Sequence, residues 1–181
     1  MRNLSLILLG LLLGTAFLTG DSNAANASSN GGGGTCPQVM RLVAFVSEQT
    51  AYPPTLDCPR VLEATSEELR LLAALGSQPH GGEPLAMYLP AGAEILLSHE
   101  VDLSDPLGRS YLVHELVHAH QIANGVPARA PCLGWMEGEA YRVQADYLRI
   151  EGLTEDAFEV EILGLLQGAC AYAYHPELIL R

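Results

Sequence analysis

The chain has 181 residues, a net charge of −12, four cysteines and six histidines. That length allows one domain with its own core and leaves little for a second. The acidic balance argues against nucleic acid and against anionic membranes as partners.

In chain order, residues 1–24 read as an export signal. Arg2 supplies the positive end, residues 4–17 form an apolar run, and the small residues Ser22 and Ala24 precede a cleavage point before Ala25. The run is shorter than the roughly 20 residues that span a bilayer, so no stable membrane insertion is expected after cleavage. Loss of Arg2 and Asp21 with the leader leaves the net charge unchanged. Residues 25–34, "ANASSNGGGG", have no apolar face to bury and read as a flexible linker. A folded domain is expected over residues 35–181, in a protein that is secreted or periplasmic.

Val39, Leu42, Val43 and Val46 recur at helical spacing and predict a helix over 38–50. "AYPPTLDCP" reads as a proline-rich loop. In "SEELRLLAALG", Ser66 is expected to cap a helix that Gly76 stops. Residues 85–90 and 93–99 read as two short strands around a turn at Pro90, Ala91 and Gly92. A helix is predicted over 109–124, ended by Gly125. Another is predicted over 135–150, with Met136, Ala140, Val143, Tyr147 and Ile150 as its core stripe. A last helix begins at 154, capped by Thr154. The fold class is α+β, mainly helical, with a small sheet preceding the 109–124 helix.

Cys36, Cys58, Cys132 and Cys170 all follow the leader. An even number in an exported chain favours two disulfides, and the absence of C-x-x-C argues against a cysteine metal site. The favoured pairing is Cys36–Cys58, which flank one short segment, with Cys132–Cys170.

The 109–124 helix contains "HELVH". His114 and His118 are four residues apart and share a helix face, so both imidazoles can reach one metal ion. Glu115 lies about 100° further round, where its carboxylate can take a proton from a water at the metal. Zn2+ is the ion that suits this set, with Glu115 as catalytic base. A third ligand is required, and the next helix offers Glu137 and Glu139, separated by about 200°. Periodicity leaves both open.

"HELVH", eighteen residues, then Glu137 resembles the gluzincin group of zinc metallopeptidases, whose third ligand is a glutamate on a following helix. Trp135, Glu137, Gly138 and Ala140 are similar to the W-x-x-E-G-x-A surroundings of that glutamate, with one residue fewer between Trp135 and Glu137, and the size is close to that of small bacterial minigluzincin domains. The resemblance covers residues 93–150. It implies a zincin-like fold, a zinc metallopeptidase with a peptide or protein substrate, and His114, His118 and Glu137 as ligands. It also implies that an edge strand, with 93–97 in the corresponding place, pairs with extended substrate. The chain departs from the pattern at Tyr141, where many gluzincins carry an Asp that orients the first histidine. Asp146 or Gln144 are candidates for that role, and Gln121 shares the histidine face. The oxyanion-stabilising residue is left open among Tyr141, Tyr147, His99, His120 and His175. Two other functions fit the same motif: a non-catalytic zinc-binding regulatory module, and a zinc hydrolase of a non-peptide substrate.

Overall fold

Helix α1 (Cys36–Gln49) forms where the valine and leucine spacing places it and buries Val39, Leu42, Val43 and Val46. Gln38 closes its first turn by accepting from the backbone N–H of Thr35 at 2.9 Å. Helix α2 (Ser66–Leu75) starts one residue earlier than a Ser66 cap would allow. Thr65 is the cap: its hydroxyl accepts from Glu68 N–H, and Glu68 accepts from Thr65 N–H. Thr65 has a Glu three residues on, whereas Ser66 has Leu69, so only the former can close a reciprocal box.

The computed structural model describes residues 35–53, 57–75 and 83–170, all within one unit, Gly31–Arg181. The expected leader and linker, Gly76 and His175 lie outside the described residues.

The sheet has three strands rather than two. β1 (Arg60–Ala64), not foreseen, runs parallel to β3 (Glu94–Ser98), and β2 (Ala86–Leu89) runs antiparallel to β3, giving the order β1-β3-β2. β3 is therefore central, paired on both sides. The expectation that 93–97 is an edge strand is corrected: β2 is the edge on the side of the histidine helix. Ile95 and Leu97 point into the core from β3, where a strand without a free edge can bury its side chains.

The histidine helix, α3 (Pro106–Ala123), begins three residues before the expected start, because Asp105 caps it and Pro106 fills the first helical position. Leu112, Val113, Leu116 and Val117 are buried around its circumference, so α3 runs through the core. Gly125, in the left-handed region at φ 67, ends it, and Val126–Ala128 form a single 3-10 turn.

Helices α4 (Leu133–Ile150) and α5 (Thr154–Gly168) complete the domain. Thr154 is the first residue of α5, not its cap; the cap position is Leu153, whose side chain makes no capping bond. Ile150 is largely exposed, so the α4 core stripe stops at Tyr147 and Leu148. Four glycines let α4 and α5 approach closely. A Cβ on Gly138 would stand 3.0 Å from Gly168 Cα, one on Gly134 2.5 Å from Gln167 O, and one on Gly164 2.8 Å from Tyr141 Cβ. Cys132, just before α4, is bridged to Cys170, just after α5, and Cys36 to Cys58. Both expected pairings are present. The architecture is α+β and mainly helical.

Candidate metal centre

His114 and His118 extend one turn apart from α3, with ring centroids 4.8 Å apart. Their Nε2 atoms face each other at 3.1 Å. From α4, Glu137 brings Oε2 to 3.3 Å from His114 Nε2 and Oε1 to 3.4 Å from His118 Nε2. One ligand atom from each residue lies within 4.8 Å of the others, so this group can hold a metal ion. Ligands about 2.0–2.1 Å from a tetrahedral ion stand about 3.3 Å apart, and the observed separations match that spacing.

The proton positions support the same fit. His118 Nδ1 is 2.9 Å from Gln121 Oε1, and His114 Nδ1 is 3.0 Å from Gln144 Oε1. The Gln121 amide cannot be turned round. Gln121 Nε2 donates to Met136 O and to Glu139 Oε2, both at 3.0 Å and both acceptors only. Gln144 Nε2 donates to Ser110 Oγ at 3.1 Å, whose own proton goes to Leu107 O at 2.7 Å. Gln121 must therefore present its oxygen to His118, the Ser110–Leu107 bond favours the same orientation for Gln144 at His114, and each Nδ1 then carries a proton. In the neutral rings both Nε2 atoms are then lone-pair acceptors, aimed at one another and at a carboxylate. Three converging acceptors need a cation between them.

Without a metal, a proton on His118 fills that need. Burial opposes a charged His118, but the hydrogen bond to Glu137, the charges of Glu115 and Glu137, and Gln121 outweigh it and push His118 up to about 9. Burial would raise Glu137, yet hydrogen bonds to both histidines and their charges hold it far below the usual carboxylate range.

Glu115 is buried beside the pair. Its Oε2 accepts the backbone N–H of Tyr88, on β2, at 2.7 Å. A cleft of about 910 Å³ opens over Glu115, His114, His118 and Glu137, walled by β2 on one side and α5 on the other. Tyr141 lines it with its ring 4.4 Å from that of His114. Burial first, then Glu137 and Glu115, push the Tyr141 phenol up to about 12 against a hydrogen bond with Gln167, so it keeps its proton.

Of the residues singled out in the sequence, the structure brings His114, His118, Glu137 and Glu115 together. Glu139 is turned away, accepting from Tyr52 Oη at 2.6 Å and from Gln121. Gln144 occupies the orienting position at His114, and Asp146 pairs instead with Arg142 and Arg149. Tyr147 is held by Arg109 Nε at 2.7 Å, His120 by Ser47 and Leu116 O, and His99 lies near Ala64 O. Among the described candidates for oxyanion contact, only Tyr141 lines the cleft. Ser110, Tyr52 and the Tyr88 N–H were missed. They act through contacts 27 to 87 residues distant in sequence, which no local pattern encodes.

Residues 34–177 match a family described as a domain of unknown function, DUF6647, and the chain belongs to that family. No curated protein and no solved structure matches it.

Proposed function

We propose that this domain is an exported zinc-dependent hydrolase, most consistent with a small metallopeptidase of gluzincin type on a zincin-like scaffold. The observation that carries the reading is the acceptor cluster of His114 Nε2, His118 Nε2 and Glu137, with the Glu115 carboxylate buried beside it at the floor of an open cleft. The tie to the Tyr88 N–H uses only one of its oxygens, and a non-catalytic metal site needs no further carboxylate lining the cleft. The two disulfides fit an oxidising compartment, and no described helix is long and apolar enough to cross a membrane.

His114, His118 and Glu137 would hold the ion. Zinc in that place supplies Lewis-acid polarisation and lowers the pKa of a water. Glu115 takes the proton of the attacking water and delivers it to the leaving amine nitrogen. The Tyr88 N–H fixes one carboxylate oxygen and leaves Oε1 without a hydrogen bond among the described residues, free for that transfer. Tyr141, kept protonated, is the donor placed to steady the developing oxyanion. The β2 edge beside the cleft offers main-chain groups to an extended peptide.

The test is metal analysis of the purified protein with digestion of casein and a peptide library. Zinc at one equivalent with chelator-sensitive, zinc-restored cleavage supports the reading. Bound zinc without hydrolysis of any peptide would favour a regulatory module or a non-peptide substrate.

A further inference from the structure

Glu139 lies two residues from a ligand and is not one. Its Oε2 takes two hydrogen bonds, from Tyr52 Oη at 2.6 Å and from Gln121 Nε2 at 3.0 Å. Gln121 is fully buried, and its other end accepts His118 Nδ1–H at 2.9 Å. The chain Tyr52–Glu139–Gln121–His118 thus runs from the segment after α1 to the metal group.

An amide is nearly symmetric in shape, and only its partners decide which end points where. If Gln121 presented its NH2 to His118, Nδ1 would have to accept, the proton would move to Nε2, and His118 could no longer donate a lone pair to a metal there. Two acceptors forbid that arrangement: Met136 O and the Glu139 carboxylate. The carboxylate is the stronger of the two, because a charged acceptor binds an N–H about twice as strongly as a neutral one. The Tyr52 phenol donates to Glu139, and burial, followed by Glu139 itself, pushes that phenol well above its usual range. Tyr52 therefore remains a donor and cannot turn Glu139 away from Gln121.

We propose that Glu139 is a positioning residue for the metal centre: acting through Gln121, and held by Tyr52, it fixes His118 with its proton on Nδ1 and its lone pair on Nε2. This rests on the reading of His114, His118 and Glu137 as metal ligands.

The test measures Zn2+ affinity by chelator competition and follows the exchange of the His118 Nδ1 proton by NMR in the zinc-loaded protein. Wild type should bind one Zn2+ and show a slowly exchanging Nδ1 proton; if it binds none, the reading of the site itself fails. Given wild-type binding, Glu139→Ala should weaken affinity about 10–100-fold and speed exchange of that proton. Glu139→Gln, whose amide oxygen can still accept from Tyr52 and Gln121, should recover most of the loss. A purely structural Glu139 would lower the melting temperature but leave affinity and exchange in the folded protein at wild-type values, and that result overturns the proposal. Should Glu139→Ala fail to fold, Gln121→Ala decides, because it cuts the link through which Glu139 reaches His118. It should weaken Zn2+ affinity about 10–100-fold and speed exchange of the Nδ1 proton. Wild-type affinity and exchange in folded Gln121→Ala would equally overturn the proposal.

Discussion

Glu115 Oε2 accepts the backbone N–H of Tyr88 at 2.7 Å, tying the candidate base on α3 to the edge strand of the sheet. Because the donor is main chain, the contact depends on where β2 runs and not on which side chain it carries. Glu115→Gln can keep it through the amide oxygen. That variant should bind zinc like wild type and lose hydrolysis by about 10²–10⁴-fold, the size of a missing general base. Metal content and turnover, measured on the same sample, check this. Loss of metal would mean that Glu115 is itself a ligand.

Glu137→Ala should weaken zinc binding by several orders of magnitude, beyond the roughly 10–100-fold expected for a residue that only orients a ligand. Gln144→Leu, which removes the acceptor from His114 Nδ1, should fall inside that smaller range. Chelator competition on both variants separates the roles. An equal loss in the two would contradict the assignment.

Packing of α4 on α5 gives a stability prediction. Gly138→Ala gains about 1 kcal/mol of helix propensity, but its Cβ would meet Gly168 Cα at 3.0 Å, backbone against backbone. Overpacking costs about 1–3 kcal/mol, so a net loss of up to about 2 kcal/mol is expected in urea unfolding. Gly152→Ala, where no atom of the described residues lies within 4 Å but φ is +85, separates strain from crowding. A midpoint raised by the full gain in helix propensity would show that the two helices can move apart at no cost.

Much of the candidate site was legible because its candidate ligands lie on helices whose period is fixed. His114 and His118 are one turn apart on any α-helix, and Glu115 is necessarily adjacent. Glu137 against Glu139 was not decidable from period alone. The choice turns on Gln121 and Tyr52, which take up Glu139 from other elements. The fold was less legible where pairing is long-range. β1 is five residues, mostly half-exposed or exposed, without clean alternation, and it exists because β3 offers a parallel edge 34 residues on. The same pairing made β3 central and moved the edge to β2. The facing glycine pairs Gly134/Gly138 and Gly164/Gly168 were not read from the sequence, because each pair has meaning only once the other helix is beside it.

The proton held in the metal-free cluster gives the last prediction. His118 is raised from its ordinary 6.5 to about 9. Its contribution to the stability of the metal-free protein is therefore fully present below about pH 6.5 and is lost as pH rises through about 9. Glu137 is depressed, so its contribution is present above its ordinary 4.5 and is lost as pH falls through the lowered value. The metal-free site is thus most stable between those ordinary values. A metal ligand must be neutral imidazole, so loading expels the His118 proton. Apparent zinc affinity should rise about tenfold per pH unit below the folded His118 value of about 9 and level off above it. Binding enthalpies in buffers of different ionisation heat should report about one proton released at neutral pH. Affinity that is flat across this range, with no proton release, would show that His118 is already neutral in the metal-free protein. The facing Nε2 atoms at 3.1 Å would then have to be separated by something other than a proton.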